Sequence, residues 1–171
     1  SLFGVTKRWE KDRFRDPYLR EDLQDFGVLI DTLECGVTWE QMPRVHQEVR
    51  AFVKSRPQTV CMTHLSHAYP QGANLYFIFI ARIATIKEYL QLQYGILEAI
   101  TKSGAAISHH HGVGKQTAPW LEECIGKPQM DVVRLLKQHF DPHNIMNPGG
   151  TLGLDMSAEQ AQKRWSMDLE D

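Results

Sequence analysis

One segment in the middle of the chain, residues 74–83, constrains the fold more than any other. Its sequence, Asn-Leu-Tyr-Phe-Ile-Phe-Ile-Ala-Arg-Ile, is rich in aromatic and β-branched residues and predicts a strand. Side chains alternate between the two faces of a strand, so Leu75 and Phe77 point one way whereas Tyr76 and Ile78 point the other. Both faces are apolar, which is typical of a strand inside a sheet. The segment therefore predicts a central strand.

Turn residues and capping boxes divide the rest of the sequence into strands and helices. A loop with Pro70 and Gly72 precedes the central strand and suits a hairpin. Two capping boxes, Thr-x-x-Gln at 38–41 and Thr-x-x-Glu at 85–88, begin stretches with apolar residues at helical spacing. The predicted elements are a strand over 26–36, a helix over 39–54, strands over 59–66 and 74–83, a helix from 86 to a stop at Gly104, and a strand over 105–109.

This order of elements, β-α-β-β-α-β, predicts an α+β fold. It is the order of the ferredoxin-like (split βαβ) sandwich, an antiparallel sheet with helices on one face. C-terminal helices follow, and the apolar stripe of the one that opens at Pro128 is predicted to be core. That stripe consists of Val132, Val133, Leu135, Leu136 and Phe140.

Composition limits the classes of protein to which the chain can belong. With 171 residues, 42% of them apolar, it has enough material for one domain with a sizeable core. Its 19 basic and 21 acidic residues leave no basic stripe, so we expect no nucleic-acid partner. The longest apolar run, residues 73–81, is too short to cross a membrane. Three widely spaced cysteines suit reduced thiols in an intracellular protein.

A run of three histidines, Ser-His-His-His-Gly-Val-Gly-Lys at 108–115, is the strongest sign of chemistry. Histidine titrates near neutral pH and is the commonest proton-transfer side chain. Gly112 and Gly114 let the backbone adopt a positive φ or approach a ligand closely. We therefore expect His109, His110 and His111 to form part of a reaction site.

Two other interpretations of the run remain open, a solvated loop and a metal site. In an extended backbone, His109 and His111 would share one face and His110 the other, so only two could bind one ion. His64 and His67 could complete a tetrahedral set, but no carboxylate or cysteine lies at ligand spacing beside them. We therefore predict no metal. The pattern of a phosphate-binding Walker loop fails as well, because Gln116 follows Lys115.

Three segments together resemble a known family. The run 108–115, the strand Gly-Ala-Asn-Leu-Tyr-Phe-Ile-Phe at 72–79 and the loop Asp-Pro-His-Asn-Ile-Met-Asn-Pro-Gly at 141–149 resemble the C-terminal part of FAD-linked oxidases of the vanillyl-alcohol oxidase superfamily. Within that superfamily the histidine triplet is similar to that of the alkylglycerone-phosphate synthase (alkyldihydroxyacetonephosphate synthase) family. The Asn-Pro-Gly loop is shared across the superfamily and is less specific.

The resemblance implies a reaction and a set of site residues. The enzyme would exchange the acyl chain of acyl-dihydroxyacetone phosphate for a fatty alcohol, as in ether lipid synthesis, with FAD as cofactor and no net redox change. By the motifs, the catalytic residues would be Tyr76, Arg20, His110 and His111. His109, Gly112, Gly114 and Asn147 would line the cofactor site.

Residue chemistry is compatible with that reaction. Exchange of a carboxylate for an alkoxide needs a base beside a carbonyl, a cation for the departing carboxylate and a hydroxyl that delivers a proton. Histidine, arginine and tyrosine supply these three groups. Taken alone, Tyr76 is as well explained by packing and Arg20 by a surface ion pair, so the assignment depends on their occurrence together with the histidines.

The resemblance also implies a domain organisation. Such enzymes carry their main FAD-binding domain before this region, and the phosphate-cradling loop of a dinucleotide site is not recognisable here. We expect residues 1–25 to be an entry segment from that N-terminal domain, 26–152 the substrate or cap domain, and 153–171 a polar tail. The chain alone is then expected to be inactive.

Other functions and locations stay open at this point. Within enzymes, the alternative is an FAD-linked oxidase or dehydrogenase acting on a 2-hydroxy acid. From another class, the chain could be a stand-alone ferredoxin-like binding module whose sheet is covered by a second copy in a homodimer. A lipid-like substrate would favour a protein that is cytoplasmic or peripheral to a membrane.

Overall fold

The computed structural model describes residues 2–150 and 152–154, and the predicted tail beyond Leu154 lies outside the described residues. The elements are α1 (Leu2–Asp12), α2 (Asp16–Gln24), β1 (Val28–Thr38), α3 (Met42–Ser55), β2 (Thr59–Ser66), β3 (Gly72–Arg82), α4 (Ile86–Lys102), α5 (Gly114–Thr117), a 3₁₀ turn (Ala118–Trp120), α6 (Leu121–Ile125) and α7 (Lys127–Phe140). The α+β class predicted from the sequence is confirmed.

The sheet is antiparallel, with the strand order β1-β3-β2. The central position predicted for β3 is therefore confirmed, as is the hairpin that joins it to β2. In that hairpin the amide of Tyr69 donates to the carbonyl of Gly72 over 2.7 Å. The register aligns Glu34 of β1 and His64 of β2 with Tyr76 of β3.

The predicted fourth strand over 105–109 is wrong as a strand. Its only pairing within residues 2–150 and 152–154 is a single bridge between Ala106 and Gly36 on β1. The segment still lies at the edge of β1, where a ferredoxin-like sheet has its fourth strand. The ladder stops because the next backbone amides, those of residues 109–111, donate to the Glu34 side chain instead of to a strand.

Helices α3 and α4 cover one face of the sheet and form the core with it. Phe77 and Phe79 of β3 are fully buried against valines of α3 and apolar residues of α4. The reciprocal hydrogen bonds predicted between Thr38 and Gln41 form, each over 3.2 Å, but they close the turn before α3 and do not cap the helix, whose N-cap is Gln41 without a side-chain cap. The helix itself begins at Met42, three residues later than expected.

The opposite face of the sheet is open in the described part of the chain. Tyr76, Ile78 and Ile80 of β3 are half-buried there, and Val60 and Met62 of β2 are 48% and 44% exposed. This surface, which we call the open face, is largely apolar. A separate groove of about 620 Å³ lies on the helical side, between α3 and α4.

Two terminal regions differ from expectation or extend it. The first 24 residues contain helices α1 and α2, and α2 packs against β1. The apolar stripe of α7, which was predicted to be core, is exposed: Leu135 is 65% and Phe140 is 73% accessible. That prediction is wrong because periodicity identifies an apolar face but not what covers it.

No helix in the described ranges is long and apolar enough to cross a membrane.

Candidate active site

The histidine run lies at the edge of the open face, where residues 105–108 leave β1. There the imidazoles of His67, His109, His110 and His111 form a contiguous group, which we call the imidazole cluster. The ring centroid of His110 lies 4.8 Å from that of His67 and 4.5 Å from that of His111. The expectation for an extended backbone, in which His110 points away from its neighbours, does not hold, because the chain bends at residues 108–111.

The bend is built around the carboxylate of Glu34. Its Oε1 accepts hydrogen bonds from the backbone amides of His109, His110 and His111 over 2.7, 2.9 and 3.0 Å, and from Ser108 Oγ over 2.9 Å. Successive amides that converge on one anion form a nest, which holds both the charge and the loop. Glu34 is only 2% exposed. A buried carboxylate therefore anchors the whole histidine run.

These hydrogen bonds also set the charge state of Glu34. Burial raises the pKa of a carboxyl, but the amides of His111, His110 and His109 and the hydroxyl of Ser108 outweigh it, so the pKa of Glu34 lies below its ordinary value. Glu34 is thus an anion at neutral pH, although it lies inside the protein.

Tyr76 is brought to the imidazole cluster by the strand register. Its ring centroid lies 5.1 Å from that of His111, edge to face, and 6.2 Å from that of His110. The phenolic hydroxyl donates to Thr32 Oγ1 over 3.2 Å. Three of the four catalytic residues expected from the resemblance, Tyr76, His110 and His111, therefore lie side by side on the open face.

Arg20, the fourth of those residues, is placed elsewhere. Its guanidinium pairs with Asp31 at 3.4 Å, and Asp31 also accepts hydrogen bonds from Tyr89 and Gln93 over 3.0 and 2.8 Å. Asp31 pairs in register with the core residue Phe79, so its side chain lies on the helical side of β1. Burial, followed by the charge of Asp31, raises the pKa of Tyr89. The structure does not bring Arg20 to the imidazole cluster.

The expected cofactor-site residues lie at the cluster or just beyond it. His109 Nε2 is 3.1 Å from the hydroxyl of Tyr69. Gly112 and Gly114 have φ of +79° and +56°, in the left-handed region that favours glycine. The loop that contains Asn147 lies close to the histidine run 108–115. A Cβ atom built on Gly149 of this loop would lie 3.7 Å from Lys115 Nζ.

Three of the described residues could together offer ligands to a cation. Nitrogen atoms of His67, His109 and His110 all lie within 4.8 Å of one another. This grouping differs from the set weighed from the sequence, since His110 replaces His64 and His111. The absence of a metal stays a prediction.

Sequence reasoning missed Glu34 and Asn74 as site residues. Both are buried, and Asn74 Nδ2 lies 3.3 Å from His110 Nδ1. One signal was available, since a glutamate and an asparagine lie within segments predicted to be strands, where such polar side chains are uncommon. Their register partners and the bend at 108–111 are tertiary features.

Comparison with known proteins assigns the chain to a family. The model of "FAD linked oxidases, C-terminal domain" matches residues 4–151, most of the chain. The chain belongs to this family. The family resemblance inferred from the histidine run, the central strand and the Asn-Pro-Gly loop is thereby confirmed.

Relatives of this FAD-linked oxidase domain include several synthases. An alkyldihydroxyacetonephosphate synthase of Dictyostelium discoideum is 32% identical over 161 residues, covering 86% of this chain and 26% of the relative. The synthase of Trypanosoma brucei brucei is 29% identical and covers 95% of this chain and 29% of the relative. A solved alkyldihydroxyacetonephosphate synthase matches with a TM-score of 0.56 and 26% identity, over 83% of this chain and 24% of that one.

The chain is also similar to a relative that is named as an oxidase subunit and not as a synthase. The glycolate oxidase subunit GlcD of Bacillus subtilis is 42% identical, but over only 69 residues, which are 40% of this chain and 14% of that protein. The chain spans about a quarter of the length of the synthases that it matches.

Proposed function

We propose that this domain forms the substrate side of a complete flavoenzyme that exchanges the acyl chain of acyl-dihydroxyacetone phosphate for a fatty alcohol. The observation that carries the proposal is the contact of Tyr76 with His110 and His111 on the open face. It combines a phenol with two imidazoles, the groups that proton transfer beside a carbonyl needs. The synthases that cover most of this chain at 29–32% identity support the same reaction.

The exchange balances without an external oxidant. The bond between the dihydroxyacetone carbon and the acyl carboxylate breaks, a bond from that carbon to the alcohol oxygen forms, and the alcohol proton leaves with the fatty acid. We assign His110 and His111 to proton removal beside the ketone and Tyr76 to proton delivery. Arg20 would bind the departing carboxylate. It could do so only after exchanging its ion pair with Asp31.

We further propose that FAD lies against the open face, held mainly by a separate N-terminal domain. The surface suits one side of a planar aromatic ring, because it is apolar beside Tyr76, with half-buried Ile30, Ile78 and Ile80. His109, Gly112, Gly114 and Asn147 would border the ring. Bound FAD would supply an electron-accepting ring next to the proton-transfer groups.

The lipid-like substrate suggests where the protein works. A fatty alcohol partitions into bilayers, so we propose that the complete enzyme is either cytoplasmic or peripheral to a membrane. We also propose that the complete enzyme associates into a homodimer.

The test is a transfer assay on the complete flavoprotein. Incubation with acyl-dihydroxyacetone phosphate and a labelled fatty alcohol is expected to yield the labelled ether lipid, and Tyr76→Phe and His111→Ala are each expected to lower the rate by roughly 10²-fold. Matched controls are Tyr94→Phe, on the helical side of the sheet, and His139→Ala, on α7, which should keep the rate of the unmodified enzyme.

Each other outcome of the assay excludes the proposal in a different way. Flavin reduction by a 2-hydroxy acid, with no ether product, would assign the protein to the oxidases and dehydrogenases. A complete protein that purifies without flavin and forms no ether product would instead support the alternative of a stand-alone ferredoxin-like binding module.

A further inference from the structure

We infer that Glu34 is a positioning residue: together with Asn74 it holds the His110 imidazole with its proton on Nδ1, which leaves Nε2 free to accept a proton. The catalytic consequence rests on the proposed function, but the placement of the proton does not. Both side chains are almost inaccessible, at 2% and 0% exposure. Neither takes part in the chemistry directly.

The two oxygens of Glu34 have unequal surroundings. Oε1 accepts four hydrogen bonds, from Ser108 and from the amides of residues 109–111. Oε2 is buried and has no hydrogen-bond partner among the described residues. The nearest ionisable nitrogen is His110 Nδ1, at 3.5 Å. A buried carboxylate oxygen without a donor is unfavourable, so a proton on Nδ1 aimed at Oε2 is stabilised.

Asn74, on the neighbouring strand β3, also has a buried acceptor atom that lacks a hydrogen-bond donor among the described residues. Its Oδ1 is buried without a partner in the described structure, whereas its Nδ2 lies 3.3 Å from His110 Nδ1 and 3.3 Å from Ser66 Oγ. A half-turn of the amide exchanges Nδ2 and Oδ1, and Oδ1 then becomes a second acceptor beside the one Nδ1 proton that points at Glu34 Oε2. Glu34 Oε2 and Asn74 Oδ1 are therefore two buried acceptors without a donor among the described residues, and His110 Nδ1 lies beside both side chains.

The remaining contacts of the cluster are compatible with this proton arrangement. His109 Nδ1 lies 3.2 Å from His110 Nδ1, so a proton on both nitrogens would be unfavourable and only one of the two carries it. With the proton on His110, His109 holds its own proton on Nε2, which donates to Tyr69 Oη over 3.1 Å. No two N–H groups then face each other within the pair.

The functional consequence concerns which nitrogen can act as a base. An imidazole that donates through Nδ1 to a carboxylate keeps its orientation and presents an unprotonated Nε2 on the far side of the ring. The His110 side chain is 38% exposed, so its ring is open to solvent. Because the amide nest holds Glu34 as an anion, the acceptor persists throughout the neutral pH range.

The deciding variant is Glu34→Gln. Glutamine keeps the shape and one oxygen for the amides of residues 109–111, but places an NH₂ group against His110 Nδ1. A donor there opposes a proton on Nδ1 and favours one on Nε2. Glu40→Gln, at an exposed position of the turn before α3, is the matched control.

The experiment is nitrogen NMR on the intact protein labelled with ¹⁵N-histidine, with His110 assigned by its loss in His110→Gln. We expect the Nδ1-protonated tautomer in the unmodified protein and in Glu40→Gln, and the Nε2-protonated tautomer in Glu34→Gln. In the transfer assay, kcat of Glu34→Gln is expected to fall by on the order of 10²-fold with little change in KM. The same tautomer in all three proteins would overturn the inference.

A second variant decides the matter if Glu34→Gln does not fold. Asn74→Ala leaves the amide nest intact, so His110 should keep its proton on Nδ1 through Glu34 alone. A switch to Nε2 in Asn74→Ala would overturn the role of Glu34. Because the tautomer is measured without substrate, it is independent of the reaction: the expected tautomers in a protein without transfer activity would refute only the proposed function.

Discussion

At the scale of single residues, three adjacent histidines acquire three different environments. His109 lies between Tyr69 and His110, His110 lies beside buried Glu34 and Asn74, and His111 meets the ring of Tyr76. Their chemistry is identical in the unfolded chain. The bend around Glu34 makes them distinct, which agrees with the proposed roles of His110 and His111 in proton removal and of His109 at the border of the site.

Asp141 provides a pH-dependent prediction at the same scale. A hydrogen bond from Lys137, with amide hydrogen bonds from Met146 and Ile145, lowers the pKa of Asp141 to about 2 from an ordinary 3.8. A lowered folded-state pKa means that the carboxylate stabilises the fold fully above pH 3.8 and that this stabilisation is lost as the pH falls through about 2. Asp141→Asn should therefore melt at a lower temperature than the unmodified protein at neutral pH, and the difference should vanish toward pH 2.

The control for this prediction is Asp22→Asn, which changes an exposed acid on α2. Thermal unfolding followed by circular dichroism at several pH values measures all three proteins. An Asp141→Asn melting difference that persists unchanged at pH 2 would contradict the assignment.

At the scale of elements, β1 separates two polar sites. Asp31 and Glu34 are three positions apart, so they project from opposite faces. Asp31 gathers Arg20, Tyr89 and Gln93 on the helical side, whereas Glu34 gathers the histidine run on the open face. The strand thus explains why Arg20 lies apart from the imidazole cluster.

The two apolar helix surfaces of α4 and α7 should differ sharply in their contribution to stability. Leu97 of α4 is fully buried and Leu135 of α7 is 65% exposed. We expect Leu97→Ala to lower the free energy of unfolding by about 2–5 kcal/mol, because it leaves a cavity, and Leu135→Ala to change it by no more than about 0.5 kcal/mol. Urea unfolding of this chain measures both. Equal losses would show that α7 packs more tightly than its exposure indicates.

At the scale of the whole molecule, the prediction that no metal is needed can be tested by chelation. The nitrogens of the possible cation group already have neighbours: His67 Nδ1 lies 3.0 Å from Ser66 Oγ, and His109 Nε2 lies 3.1 Å from Tyr69 Oη. Dialysis of the complete flavoprotein against EDTA should therefore leave the transfer rate unchanged. A loss of activity that one equivalent of Zn²⁺ or Mn²⁺ restores would contradict it.

Elements whose signal is local were predictable from the sequence. The central strand follows from apolar residues on both of its faces, and the hairpin follows from the Pro-Gly loop that precedes it. The strand over 105–109 failed because a side chain distant in sequence, Glu34, takes the amides that would continue the ladder. The α7 stripe failed because helical periodicity carries no information about a covering partner.

The sequence by itself determined the α+β class and the family, and it singled out Tyr76, His110 and His111 as candidates, since alternation, capping boxes and the histidine run are short-range patterns. The tertiary structure alone decided that Tyr76 meets His110 and His111, that Arg20 pairs with Asp31 instead, and that Glu34 is the buried anion beneath the cluster. These contacts depend on strand register and on a bend held by one carboxylate. Both arise from pairings between residues that are far apart in the chain, which local patterns do not encode.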